Sequence, residues 1–95
     1  MFAISLECLE EGGWYKYIRL KTGEIRFTKI DGQHSDLVSP KEKNLVVSAG
    51  AIKIRDEVFT FEGYGSHTLG VGFTHEDEEH LSRLLGKKPI ASWDW

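Results

Sequence analysis

The sequence predicts an α+β fold, in which a small antiparallel β-sheet, or a partly open β-barrel or roll of about five to seven strands, carries one packed C-terminal helix. Apolar and polar residues alternate with a period of two in several segments before residue 74, which is typical of half-buried strands. A helical period appears only afterwards, at Leu81, Leu84 and Leu85. We therefore expect a single domain over residues 1–95, with strands within 2–73, a helix at about 75–85 and a tail at 87–95.

The N-terminal half contains the clearest hairpin signal. The alternation of Phe2–Cys8 predicts a first strand with Cys8 on its apolar face. The segments Trp14–Leu20 and Glu24–Ile30 follow, and the short turn between them contains Gly23, as in a turn with a glycine bulge. Alternation predicts one face with Trp14, Ile18 and Leu20, and an opposite face with Tyr15, Tyr17 and Arg19.

The middle of the chain contains one long polar segment, Asp31–Asn44, which we expect to be a loop. Ser39 and Pro40 favour a helical turn within it, because serine caps helices and proline suits the first helical position. A loop of this length in a small domain is either a functional segment or a tolerated surface insertion, and the sequence leaves both open.

The remaining predicted strands are shorter, and the last of them contains two glycines. Strand character recurs in the segments Leu45–Val47, Ala51–Ile54, Val58–Phe61 and Thr68–Phe73. In the last of these, Gly70 and Gly72 share a face, which would leave bare backbone accessible to another group.

The helix has both of its boundaries marked in the sequence. Thr74 is a favourable N-cap, and Asp77 stands three residues later in the capping-box position. Gly86 marks the end, and Pro89 prevents the helix from resuming. A helix of about eleven residues is not stable alone in water, so we expect its leucines to pack on the sheet.

Catalytic and metal-binding patterns are weak. His75 and His80 are five residues apart, about 140° out of phase on a helix, whereas zinc-binding helices space two histidines four apart. A small enzyme or a metal protein that uses His67, His75 and His80 is therefore the last of three hypotheses for the function; the other two follow. The serines lie in no nucleophile motif, and the glycines match no phosphate-binding spacing. We expect no cofactor, and a non-catalytic protein is favoured over an enzyme.

A second hypothesis is single-stranded nucleic-acid binding through the first hairpin. The segment Trp14–Arg55 contains nine basic and four acidic residues, although the net charge of the chain is −3. Tyr15, Tyr17 and Arg19 would share a face that could stack bases and neutralise phosphates. The same face suits a protein partner, because tyrosine and arginine are favoured at interfaces.

The end of the chain is unusual, since Trp93 and Trp95 flank Asp94 in a short polar tail. In an extended tail both rings point the same way. They would be buried either on the backbone at Gly70 and Gly72, or on a twin subunit or another partner, and the sequence leaves both destinations open.

The leading hypothesis is a non-catalytic protein-binding or regulatory module, of inhibitor, immunity or adaptor type. The predicted partner-binding residues are Tyr15, Tyr17, Arg19, Trp93 and Trp95, and the expected partner is another protein or a second copy in a homodimer. The single cysteine allows no internal disulfide, and the chain has neither a signal-peptide pattern nor a long apolar run. We therefore expect a cytoplasmic protein without membrane contact.

Overall fold

The structure, a computed structural model, describes residues 4–62, 65–66 and 69–90, which form a five-stranded sheet with one α-helix packed on it. The α+β prediction is confirmed, and the sheet is not closed. The elements in chain order are β1 Trp14–Leu20, β2 Ile25–Lys29, β3 Val46–Ile54, β4 Val58–Phe61, the helix α1 His75–Leu85 and β5 Lys88–Ile90. None of the helices described is long and apolar enough to cross a membrane.

The sheet is mixed, because its last pair of strands is parallel. The strand order is β2-β1-β3-β4-β5, and the first three pairs are antiparallel whereas β4 and β5 run parallel. The sequence predicted a tail where β5 lies. A parallel connection needs a crossover, usually through a helix, and here the chain passes through α1 between the two strands. Gly86, at φ 65°, ends that helix.

The central hairpin forms where the sequence predicted it. Tyr17 stands opposite Phe27 in β2 and opposite Gly50 in β3. Gly23 has φ 94°, the left-handed conformation that the turn requires. The two short segments predicted on either side of Ser48–Gly50 form one continuous strand, β3, which pairs with β1 along its length.

Two predicted strands are wrong over the residues described. Leu6–Cys8 is a 3₁₀ helix, and Cys8 is exposed. Within the described part of this segment, Ile4 alone bridges the sheet and packs against the core, whereas Leu6 and Cys8 are exposed, so the alternation follows neither strand pairing nor burial. Leu69–Phe73 contains a turn in which Gly70 has φ 69° and only Val71 forms a bridge. Gly70 and Gly72 therefore do not share a strand face.

The polar segment between β2 and β3 contains two 3₁₀ helices, His34–Leu37 and Pro40–Leu45. The predicted turn after Pro40 is confirmed, with Ser39 and Glu42 forming a capping box. Arg26 of β2 holds this segment by donating to both carboxylate oxygens of Glu42, at 3.0 and 2.7 Å.

Side chains cover the sheet unequally on its two faces. The helix face, on which α1 packs, carries the larger core: Tyr15, Tyr17, Phe27, Ile52, Ile54, Phe59, Phe61 and Leu81. The opposite face is covered at one end by a second cluster: Ile18, Leu20, Leu37, Val38, Val46 and Ala49. At the other end of this opposite face, near Trp14, large side chains remain exposed.

Candidate interaction surface

Three of the predicted partner-binding residues, Tyr15, Tyr17 and Arg19, share one face of β1 as predicted, but that face is buried. Their relative exposures are 6%, 0% and 8%. The three side chains belong to the helix face, where Tyr17 and Arg19 bind Asp77 of α1 and the hydroxyl of Tyr15 accepts the backbone amide of Glu10 at 2.8 Å. Their predicted roles in partner binding and in base stacking both depended on exposure. Period-two alternation separates the two faces of a strand but does not say which face another element will cover.

Arg19 and Tyr17 are held there by Asp77, the capping residue of α1. Tyr17 donates its hydroxyl to Asp77 Oδ2 at 2.6 Å, and Arg19 donates from Nε to Oδ1 at 2.8 Å. Ser48 of β3 donates its hydroxyl to Oδ1 at 2.6 Å. The backbone amide of Thr74 donates to Asp77 Oδ2 at 3.0 Å, as the predicted capping box requires, and the hydroxyl of Thr74 lies 3.2 Å from Oδ1.

The ionised form of Asp77 is stabilised although the side chain is fully buried. Burial by itself raises the pKa of the Asp77 carboxyl group, but the hydrogen bonds from its neighbours outweigh burial and place the pKa below its usual value. Burial and the adjacent carboxylate raise the pKa of Tyr17 above its usual range.

This buried cluster is structural. A carboxylate offers about four lone-pair positions, and Asp77 already accepts from five donor atoms of Tyr17, Arg19, Ser48 and Thr74. No acceptor position is left for a substrate, and in the part of the chain that is described no buried side-chain nitrogen or oxygen lacks a partner. The cluster fixes the start of α1 to the centre of the sheet.

The accessible surface lies on the other side of the sheet, in a row that crosses four strands. Trp14 of β1 stands opposite Lys53 of β3, Lys53 opposite Thr60 of β4, and Thr60 beside Ile90 of β5. Directly paired residues share a face, so all four side chains point away from α1. Trp14 and Ile90 are 41% and 47% exposed. We call this row and its neighbours the Trp14 surface; the neighbours are Lys16, Val58, Glu62 and Lys88.

The Trp14 surface carries a local excess of positive charge. Lys53 Nζ lies 5.2 Å from the centre of the Trp14 ring, a cation–π contact. Lys16 donates from Nζ to the carbonyl oxygen of Gly32 at 2.6 Å, and Lys88 is exposed beside Val58. The acidic member is Glu62, whose carboxylate accepts the hydroxyl of Thr60 at 3.1 Å.

The histidines of α1 do not converge. His75 lines a groove of about 560 Å³ beside Pro89, whereas His80 lines a separate groove of about 520 Å³ beside Ile25. Ser82, in the first groove, donates its hydroxyl to the carbonyl of Lys87 at 2.7 Å. Within residues 4–62, 65–66 and 69–90, no three His, Cys, Asp or Glu side chains are grouped to hold a metal ion.

Three residues singled out from the sequence, His67, Trp93 and Trp95, lie outside the described residues.

Sequence reasoning missed Trp14, Lys53 and Ile90 as a group. Alternation places Lys16 on the same face of β1 as Trp14. A lysine on a face that was predicted to be apolar was the signal from which this surface could have been found. The pairing of β1 with β3, and of β4 with β5, cannot be deduced from a single segment.

No protein-family model matches the sequence, and a search of curated proteins finds no similar sequence.

Proposed function

We propose that this protein is a non-catalytic protein-binding module, of inhibitor, immunity or adaptor type, and that its partner docks on the Trp14 surface. The observation that carries the proposal is the alignment of two exposed apolar side chains, Trp14 and Ile90, across one open sheet face. Tryptophan is one of the residue types enriched among the energetic hot spots of protein interfaces.

Docking on the face of the sheet is favoured over addition of a strand to its β5 edge. Lys88 donates its amide to the carbonyl oxygen of Glu57 at 3.0 Å, so its backbone points toward β4. Because successive residues of a strand alternate, the backbone of Pro89 faces the outer edge of β5, beyond which no described strand lies, and proline has no N–H to donate there. An edge of this kind resists pairing with another strand.

Trp93 and Trp95 remain predicted contributors to the same interface. They follow Ile90 by three and five residues in the sequence. The proposal does not depend on them, because Trp14 and Ile90 provide apolar anchors by themselves.

The experiment is photo-crosslinking in the source cells, with a photoreactive amino acid placed within the Trp14 surface at Thr60. Crosslinking is compared between the otherwise wild-type chain and chains that also carry Trp14→Ser or Ile90→Ser. The matched control is Leu45→Ser, because Leu45 is 39% exposed but precedes β3 at its far end from Lys53. We expect one discrete protein adduct that persists in the control and is lost in both surface variants.

Circular dichroism and thermal melting of each variant verify that the fold is retained. An adduct that survives Trp14→Ser, or the absence of any adduct, would contradict the proposal.

A further inference from the structure

We infer that the partner presents to the Trp14 surface an extended acidic segment, with an acidic residue between two large apolar residues that are four positions apart. This inference rests on the proposed function and adds the chemistry of the partner to it.

The spacing follows from the geometry of the sheet. Trp14 and Ile90 lie on β1 and β5, which are separated by β3 and β4. Three inter-strand steps of about 4.8 Å give about 14 Å between the two anchors. An extended segment rises about 3.4 Å per residue, so its residues i and i+4 are about 14 Å apart. Both point to the same side, and so does residue i+2. One segment that crosses the strands can therefore contact both anchors.

The charge of the central residue follows from Lys53. In the row that joins the anchors, Lys53 is the charged residue and stands next to Trp14. Residue i+2 of the bound segment lies about 7 Å from the Trp14 end, between the positions of Lys53 and Thr60. A carboxylate there is attracted by Lys53, and Lys16 and Lys88 on either side of the row add to the attraction.

This attraction is a local property. The chain as a whole has a net charge of −3, and the first turn of α1 carries Glu76, Asp77 and Glu78 on the other side of the sheet. An acidic partner is therefore repelled by the molecule at long range and attracted at the Trp14 surface, which selects the orientation of docking.

A protein segment is favoured over nucleic acid by the composition of the surface. Platforms for single-stranded nucleic acid stack successive bases on several aromatic rings. Among the described strand residues, Trp14 is the aromatic one on this face. Val58 and Ile90 are aliphatic and suit the apolar side chains of a protein segment better than stacked bases.

The test is selection of twelve-residue random peptides displayed on phage against the full chain, followed by titration of the selected peptides. We expect the enriched peptides to contain an aspartate or glutamate midway between two large apolar residues four apart. Their affinity should fall by at least about 30-fold in Trp14→Ser and by about tenfold in Lys53→Glu. It should also weaken with added salt and remain unchanged in Leu45→Ser.

Any one of four results would overturn the inference. The enriched peptides could be neutral or basic, or Lys53→Glu could leave their affinity unchanged. A twelve-residue oligothymidylate could bind with the same dependence on Trp14 and displace them, which would identify nucleic acid as the ligand. Light scattering could show a self-association that Lys53→Glu abolishes, which would identify a second copy as the occupant.

The crosslinking experiment distinguishes a failure of this inference about the partner's chemistry from a failure of the proposed function. If a Trp14-dependent protein adduct forms while the selected peptides are not acidic, only the chemistry assigned to the partner is wrong. If no adduct depends on Trp14, the binding module itself is wrong.

Discussion

The hydroxyl of Tyr17 donates a hydrogen bond of 2.6 Å to Asp77, and both side chains have no solvent exposure. This bond joins the middle of β1 to the first turn of α1. Asp77 also accepts the backbone amide of Thr74, so one carboxylate both caps the helix and fixes the helix on the sheet.

Removing this carboxylate should destabilise the protein strongly. Asp77→Ala leaves the hydroxyls of Tyr17 and Ser48 without their acceptor, and Arg19 keeps the longer 3.5 Å contact of its Nη2 with the exposed Glu76 in place of its 2.8 Å bond to Asp77. We expect the free energy of unfolding to fall by about 3–5 kcal/mol, as for a broken buried ion pair. Urea denaturation measures this. The matched control is Glu79→Ala, because Glu79 and Arg83 form an exposed pair on the same helix; its effect should be below about 1 kcal/mol. Similar losses in both variants would refute the role of Asp77.

The stability of the fold should depend on pH through Asp77. The pKa of its carboxyl group is lowered in the folded state. Its stabilisation is therefore fully present above the unfolded pKa of about 4 and is lost as the pH falls through the lower folded pKa. Glu42 acts in the same direction, since its bonds to Arg26 and Ser39 lower its pKa to about 2. The urea midpoint should decrease between about pH 5 and pH 2, and this decrease should be shallower in Asp77→Asn. An equal slope in the two proteins would contradict the prediction.

His34 should add a second pH dependence at higher pH. Its side chain is buried against β3, with Nε2 2.9 Å from the carbonyl oxygen of Gly50. Burial lowers the pKa of His34, and Lys16 lowers it further, while the hydrogen bond to Gly50 opposes them. The stabilisation from neutral His34 is fully present above the unfolded pKa of about 6.5 and declines as the pH falls through the lower folded pKa.

We therefore expect the free energy of unfolding to be smaller at about pH 5.5 than at about pH 7.5. In His34→Gln this difference should shrink, because glutamine does not titrate. Urea denaturation at the two pH values measures both proteins. An undiminished difference in the variant would assign the effect to another group.

Two glycines should respond oppositely to alanine. A Cβ at Gly50 would come within 2.9–3.1 Å of the Tyr17 ring and its hydroxyl oxygen. Tyr17 cannot move away without lengthening its bond to Asp77, so Gly50→Ala should cost about 1–3 kcal/mol. Gly72 has no atom within 4 Å of such a Cβ and no positive φ. Gly72→Ala should therefore be neutral or slightly stabilising. Thermal melting of the two variants compares them, and a stable Gly50→Ala protein would show that the contact is loose.

Much of the fold was predicted correctly from signals that depend on a few neighbouring residues, such as helix caps and turn glycines, because a single sequence shows these residues directly. Thr74, Asp77 and Gly86 mark the ends of α1, and the capping box and the left-handed glycine are both present. The turn at Gly23 likewise formed as expected. The predicted strand at Phe2–Cys8 was wrong over its described part, because Leu6–Cys8 forms a 3₁₀ helix in which Leu6 and Cys8 are exposed although both fit the alternation. Ile4 and Leu9 are partly buried without belonging to a strand. The strand β5 was missed because its three residues carry no period of their own.

The amino-acid sequence by itself determined the fold class, the boundaries of α1 and the division of β1 into two faces. Only the tertiary structure decided which face is covered. The carboxylate of Asp77 provides a buried partner for Arg19 and Tyr17, so α1 packs on their face. Trp14 remains on the open face with Lys53 and Ile90. The alternation that separates the two faces comes from the backbone, whereas their burial depends on side chains about 60 residues apart.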